Sequence, residues 1–366
     1  VSLIGWLIDA TLPFGNKYCQ LVERWGTVVV AVERSNKMAE KNDPRDRDRQ
    51  DGGRHVEVVI VGGGAAGLSA AVTLARALRS VIVLDGGEPR NAPAAAVHGL
   101  LGVEGINPLE LVARGRAEAS RYGAHVMHAA VSAARSLRDG GFTVDLDDGT
   151  SVRADQLLLA TGVQDDLPAI SGLAQRWGRD VVHCPYCHGW EIRGTRIALL
   201  ATGPVSAMQA MLFGQWTEEM CFFPNGMDFP DAQIEQLTAL GIDIDPGRVE
   251  EVVVGEDRLV AVRLSGGGER PLEALAVPTL PRARLTGLDG LGVTVESNPM
   301  GVALVVDEAG YTSVPGVWAA GTVTNPAMQL SEAAAHGSRV ARTINTELVF
   351  RRAEAAVAGS RTPDPV

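Results

Sequence analysis

Cysteine is scarce, with four in 366 residues, and two of them, Cys184 and Cys187, lie three positions apart. That is not the dense, even spacing of a disulfide-stapled secreted domain, and it favours a reducing, cytoplasmic setting. Positive charge is also short. With 33 Lys and Arg against 44 Asp and Glu, the formal net charge is -11, a sign that repels phosphate backbones and leaves nucleic acid binding without electrostatic support. Long apolar runs are missing too. Asp9, Lys17, Glu23 and Arg24 break the first segment before it reaches the roughly 18 to 20 uncharged residues of a spanning helix, so no membrane partner is expected. Val1 to Phe14 are apolar but lack the basic start and small-residue cleavage site of a signal peptide, and are not read as a secretion signal.

What remains is a globular composition, 46% hydrophobic and 21% charged. The length suggests two domains at about 100 to 200 residues each. Glu33 to His55 is almost wholly charged or polar, which cannot offset its ordering entropy by burial, and reads as a solvated linker. The residues before Met38 are either a genuine extension or a gene-model addition ahead of the natural start.

The run V-E-V-V-I-V from Val56 to Val61 reads as a buried parallel strand, Ala65 to Arg79 as a helix and Val81 to Leu84 as the next strand. Between the first two lies G-x-G-x-x-G, made by Gly62, Gly64 and Gly67 with Ala65 and Ala66 inside it. The first glycine allows a sharp turn, the second lets backbone approach a pyrophosphate, and the third lets helix and strand pack closely. Phosphate then meets the free N–H groups of the helix start. Asp85, about 20 residues on, is placed to accept ribose hydroxyls. Further apolar runs at Gln156 to Ala160, Arg196 to Ala201 and Val317 to Ala320 each end in a glycine-containing turn. Together they predict two dinucleotide-type modules, one inserted in the other, with a β-meander between Val126 and Val152.

His183-Cys184-Pro185-Tyr186-Cys187-His188 sets two thiols one short turn apart. One thiolate in such a spacing is typically stabilised, which suits it to attack or to leave near neutral pH. The flanking His183 and His188 titrate where thiols exchange protons. Zinc would need two more ligands, and Cys19 and Cys221 have no partners at metal spacing, so no metal is expected. A pair of buried structural cysteines is the third reading of the same spacing.

The order of these motifs resembles the low-molecular-weight thioredoxin reductase superfamily: G-G-G-A-A-G, then Ala160-Thr161-Gly162, then C-x-x-C, then Ala320-Gly321, over about Val56 to Leu348. The resemblance implies an α/β chain of two Rossmann-like, three-layer ββα domains, the second inserted in the first, binding FAD and pairing as a homodimer. Its segments would be 1–54 as extension and linker, 55–165 with 271–350 as the FAD-binding domain, 166–270 as the insert and 351–366 as a flexible tail. C-P-Y-C-H-G-W-E is similar to the actinobacterial dithiol oxidases of gliotoxin and holomycin type. Thr161, Gly162 and Gly321 lie in turns that resemble the FAD-lining A-T-G and A-G-D motifs of two-dinucleotide-binding-domain flavoproteins. Asp85, Arg90, Asn91 and His98 look like the narrower group's flavin-side segments, and Gly87, Thr322 and Gln329 complete the flavin candidates. The narrower resemblance also makes Cys184, Cys187 and His188 the catalytic residues.

The departures from a reductase favour the oxidase branch. The second nucleotide turn is Ala201-Thr202-Gly203-Pro204-Val205-Ser206, with its first glycine replaced, and no Lys, Arg or His lies between Thr217 and Gly247 to meet a 2′-phosphate. NADPH therefore lacks an evident anchor. Thr322 stands where relatives carry Asp or Asn. The expected activity is disulfide formation in a small-molecule dithiol, with electrons passing through FAD to oxygen. An NAD(P)H-dependent reductase acting on a thioredoxin-like protein or a small thiol, and a flavin-binding redox sensor, are the alternatives.

Overall fold

The computed structural model describes residues 54–298 and 301–360. The expected charged linker therefore lies outside the described residues, as does the question of Met38, except that Arg54 and His55 already belong to the first strand. The chain begins with β1 (Arg54–Val61), α1 (Ala65–Arg76), β2 (Val81–Asp85), α2 (Pro108–Arg121), β3 (His125–His128), β4 (Val131–Ser136), β5 (Phe142–Leu146) and β6 (Ser151–Leu159). It continues through β7 (Val163–Gln164), α3 (Leu173–Arg176), β8 (Val181–Val182), α4 (Pro185–His188), β9 (Ile197–Leu200), α5 (Ser206–Phe213) and β10 (Met220–Phe223). Next come α6 (Asp231–Ala239), β11 (Asp243–Ile244), β12 (Val249–Gly255), β13 (Arg258–Leu264), β14 (Glu269–Pro271) and β15 (Ala274–Ala276). The chain closes with β16 (Arg282–Ala283), β17 (Val295–Asn298), β18 (Gly301–Leu304), β19 (Val317–Ala319) and α7 (Leu330–Ser360).

The first sheet runs β3-β2-β1-β6-β5-β4, and β19 joins the far half of β6. Strands β3, β2, β1, β6 and β19 are parallel, with Ile60 opposite Val83 and Leu158. β4 and β5 form the expected meander, antiparallel into β6. The central strands are buried on both faces, which is why they read as continuous apolar runs rather than alternating ones. Helices α1 and α7 cover one face. Their crossing is close because Gly337 has no side chain: a Cβ there would overlap the carbonyl of Ala66.

The second sheet is β11-β10-β9-β15-β8, wholly parallel, with a three-stranded antiparallel sheet β12-β13-β14 packed through Leu173, Phe223, Val252, Val262 and Leu275. The two chain crossings between the sheets lie side by side, since β7 and β16 pair antiparallel through Gln164 and Arg282. Two boundaries differ from the sequence reading. Strand β15 still pairs with β9, so the return to the first sheet follows Ala276 rather than beginning at 271. The C-terminal segment from residue 351 starts as helix, because α7 continues to Ser360 although its residues from Arg351 to Ser360 are exposed.

Candidate active site

The G-x-G-x-x-G turn joins β1 to α1, and its glycines divide the labour. Gly62 takes φ +111° and its absent Cβ would overlap the Ala160 carbonyl; Gly67 has Gly62 O where its own Cβ would be. Gly64, the residue before α1, faces open space, with nothing within 4 Å of its Cβ position and no side chain capping the helix. The free N–H groups of α1 are thus available to an anion. Asp85 ends β2 and is buried; its Oδ1 accepts the Gly87 N–H at 2.9 Å and its Oδ2 is held by Arg116 from α2. A carboxylate has about four acceptor sites, so capacity remains for hydroxyl groups.

Two later turns converge on the same place. Thr322 Oγ1 lies 3.3 Å from the Cβ position of Gly162, and the Cβ position of Gly321 lies 2.7 Å from Ala66 Cβ. Thr161 Oγ1 is buried without a hydrogen-bond partner among the described residues. An orphaned hydroxyl of this kind costs stability unless something fills the site. Gly62, Gly64, Asp85, Thr161, Gly162 and Thr322 border one cavity of about 1330 Å³ that also reaches Asn91, His98 and the cysteine pair. Gly67, Gly87 and Gly321 do not line it; they sit behind the wall, Gly87 against the His128 ring. The residues present therefore fit a dinucleotide-linked flavin: open amides at a helix start, a buried acidic side chain, a lone hydroxyl and a cleft continuous with two thiols.

Cys184 ends the loop after β8 and begins α4, where the N–H groups of Cys187 and His188 donate to its carbonyl at 3.3 and 3.2 Å. Both cysteines are free thiols. The Cys187 S–H donated toward Cys184 brings the latter down to about 6 against the effect of burial, helped by Gln329 and by the N–H groups of Cys187 and Tyr186. Cys187 moves the opposite way, upward, because its proton is held by Cys184 and its surroundings are dry.

Gln329, expected beside the flavin, lines the same cavity and also reaches the thiol pair. Its Nε2 lies 3.6 Å from Cys184 Sγ and its Oε1 accepts from Cys187 Sγ at 3.3 Å. It is the residue just before α7, and its side chain reaches the sulfurs at the start of α4. Arg90 is likewise committed, donating to both oxygens of Asp165 at 2.7 Å and to Pro326 O at 3.3 Å. Asp165 also accepts from Thr279 Oγ1 at 2.5 Å, and the Thr279 N–H donates to His183 Nδ1 at 3.3 Å. His98 bridges Glu104 at 2.6 Å and Glu191 at 3.4 Å, beside the cysteine loop. Burial depresses both His183 and His188, and His188 Nδ1 has no partner among the described residues.

Sequence reasoning missed Arg116, His336, Thr279 and Arg248. His336 accepts the Gly321 N–H at 3.2 Å from inside α7, and no local pattern announces it. Arg248 is the first residue past the stretch found bare of basic side chains, yet its guanidinium lies over Gly226 in the loop after β10, so that a Cβ there would overlap it. Ser206 did carry a signal, being a serine at the start of a helix. Its buried hydroxyl accepts the N–H groups of Thr202 at 3.1 Å and Gly203 at 3.2 Å, closing the second nucleotide turn on itself.

A glycine turn at the end of one parallel strand, with a vicinal thiol pair in a shared cleft, defines a disulfide oxidoreductase of the flavoprotein class. The chain belongs to the pyridine nucleotide-disulphide oxidoreductase family, whose model matches residues 56–337. It is similar to the thioredoxin reductase tcpT of Claviceps purpurea (strain 20.1), 32% identical over 73% of this chain and 86% of that one. Thioredoxin reductase sirT of Leptosphaeria maculans is 29% identical over 79% and 93%. Among solved structures, HlmI superposes with a TM-score of 0.79 at 37% identity, covering 85% of this chain and 97% of its own. An oxidoreductase from Agrobacterium tumefaciens gives 0.76 at 36%, covering 81% and 99%. The protein is thus a thioredoxin reductase-like enzyme acting on disulfides. No described helix is long and apolar enough to cross a membrane.

Proposed function

We propose that the protein is an FAD-dependent dithiol oxidase that closes a disulfide in a small-molecule dithiol. The observation that carries the choice of direction is the second nucleotide turn: the N–H groups of Thr202 and Gly203, which a pyridine nucleotide's pyrophosphate would need, already bind Ser206. Gly64, Asp85, Thr161 and Thr322 would hold the flavin. Bound FAD supplies a two-electron acceptor for the thiol pair and a route from it to oxygen, which leaves as peroxide.

The protein's own residues account for the thiol chemistry. In the oxidised pair, a substrate thiolate attacks Cys184 Sγ, the Cys184–Cys187 bond breaks, and its electron pair stays on Cys187, which takes up a proton. The second substrate thiolate attacks the substrate sulfur of the mixed disulfide and expels Cys184 as thiolate. The product disulfide departs, and two electrons and one proton remain on the enzyme pair. The other substrate proton goes to His188, which lines the cleft beside the pair and is held below the ordinary histidine range by burial. Cys184, already a thiolate near neutral pH, is the better leaving group for the second step.

One observation favours a second reading. Arg248 over Gly226 supplies a cation on the loop where a 2′-phosphate would rest, as an NADPH-dependent reductase requires. Anaerobic mixing separates the two. A small dithiol should bleach the flavin without any pyridine nucleotide, and air should restore the colour with one peroxide per disulfide. Rapid bleaching by NADPH, with dithiols inert, would hand the assignment to the reductase.

A further inference from the structure

The Gln329 side chain reaches both sulfurs, and its two ends are chemically opposite. Nε2 can only donate and Oε1 can only accept. With the nitrogen toward Cys184 and the oxygen toward Cys187, the amide matches one arrangement of the reduced pair, thiolate at 184 and thiol at 187, and opposes the reverse. Its backbone is fixed independently: the Gln329 N–H donates to Glu332 Oε2 at 2.6 Å, the reciprocal half of a capping box at the start of α7. That start is the positive end of a 31-residue helix, and its first-turn N–H groups add positive potential beside the sulfurs. The backbone that carries the amide is thus anchored beside the pair.

We propose that Gln329 is a catalytic residue of the thiol pair, assigning the single proton of the reduced form to Cys187 and the negative charge to Cys184. It rests on the dithiol oxidase reading only for its consequence: a poised Cys184 leaves readily when the second substrate sulfur closes the product. The proton assignment itself concerns the reduced protein alone. No covalent bond is made or broken by the amide; its Oε1 shares the Cys187 proton with Cys184, and its Nε2 donates to Cys184.

The test is alkylation of the dithiol-reduced, flavin-loaded protein by iodoacetamide under anaerobic conditions across pH 5 to 9, with peptide mapping to name the modified sulfur. The wild-type protein should react at Cys184 with a midpoint of about 6. Gln329→Glu keeps the shape but replaces the donor end with a charged acceptor, and Gln329→Met keeps the bulk and removes both ends. Loss of the donor to the charged sulfur should raise the midpoint by about one unit or more in either variant, an about fivefold slower reaction at pH 6. Modification should also spread to Cys187. Should Gln329→Met misfold, judged by circular dichroism and flavin content, Gln329→Glu answers the same question. An unchanged midpoint and unchanged site in a folded variant overturn the proposal. Failure of dithiols to bleach the wild-type flavin would instead remove the oxidase reading and leave this result standing.

Discussion

At His188 burial acts against the charged ring, and Glu191 opposes that effect only in part, so the side chain stays neutral at neutral pH and can take a proton. A base whose own value lies below the ordinary one keeps working as acidity rises. Flavin reduction by a saturating dithiol should therefore hold steady as pH falls from 8 through about 6.5 and weaken only below that. His188→Asn should slow it by about 10² to 10⁴-fold, the usual worth of a positioned acid or base, and abolish that weakening. Stopped-flow traces of anaerobic bleaching read both effects, and a variant of unaltered rate would remove His188 from the chemistry. Residues of this kind were legible in the sequence because their signal is local: Cys184, Cys187 and His188 lie within five consecutive positions, and the glycine turn within six. Gln329 was legible only as a name. What it touches lies 142 and 145 positions away, and no spacing rule spans that distance.

Elements rather than residues decide how the glycine turn is held. Helix α1 is pressed between β1 and α7, with Gly62, Gly67 and Gly337 each giving up space to a backbone carbonyl. Alanine in place of Gly337 would gain about 1 kcal/mol of helix propensity. It would also drive a methyl group into Ala66 O, an overpacking cost of about 1 to 3 kcal/mol that backbone cannot relieve as a side chain could. The clash should prevail. Gly337→Ala is expected to lower the melting temperature and, by tilting the turn, to reduce flavin content, whereas Gly64→Ala should leave stability within about 0.5 kcal/mol and reduce flavin content alone. Thermal melts paired with visible absorbance of the purified variants check the contrast. If Gly64→Ala kept full flavin, its open face would have no part in holding the pyrophosphate. The strands and α1 were predictable from apolar runs and glycine punctuation, since both faces of these strands are buried. The reach of α7 to Ser360 was not, because its last ten residues are exposed and carry no apolar periodicity to extend it.

On the scale of the molecule, the chain crosses between the two parallel sheets where β7 lies beside β16, at the edge of the four-stranded sheet β17-β18-β16-β7, and Arg90, Asp165, Thr279 and His183 are linked in series there. That crossing was invisible in sequence, where Asp165 and Thr279 stand 114 positions apart. It has a thermodynamic consequence. His183, His188 and His336 are all depressed by burial, so each binds its proton more readily in the unfolded chain than in the folded one. For such groups stability is complete above the unfolded value, near 6.5, and is lost as pH falls through it toward the lower folded values. Asp165 is depressed as well: burial alone would raise it, but Arg90 and Thr279 outweigh burial. Its contribution is present above the unfolded carboxylate range and vanishes only below about pH 4. The melting temperature should therefore be flat from pH 8 to about 6.5 and then fall in two stages, histidines first and Asp165 afterwards. His183→Gln should flatten the first stage by a few degrees, at about 2 to 4 °C for each kcal/mol in a protein of this size, without moving the second. Calorimetry across that range decides it: a melting temperature that climbed on acidification between pH 6.5 and 5 would mean that these rings are charged inside the folded protein, and the hydrogen bond from Thr279 N–H to His183 Nδ1 could not then be the native one.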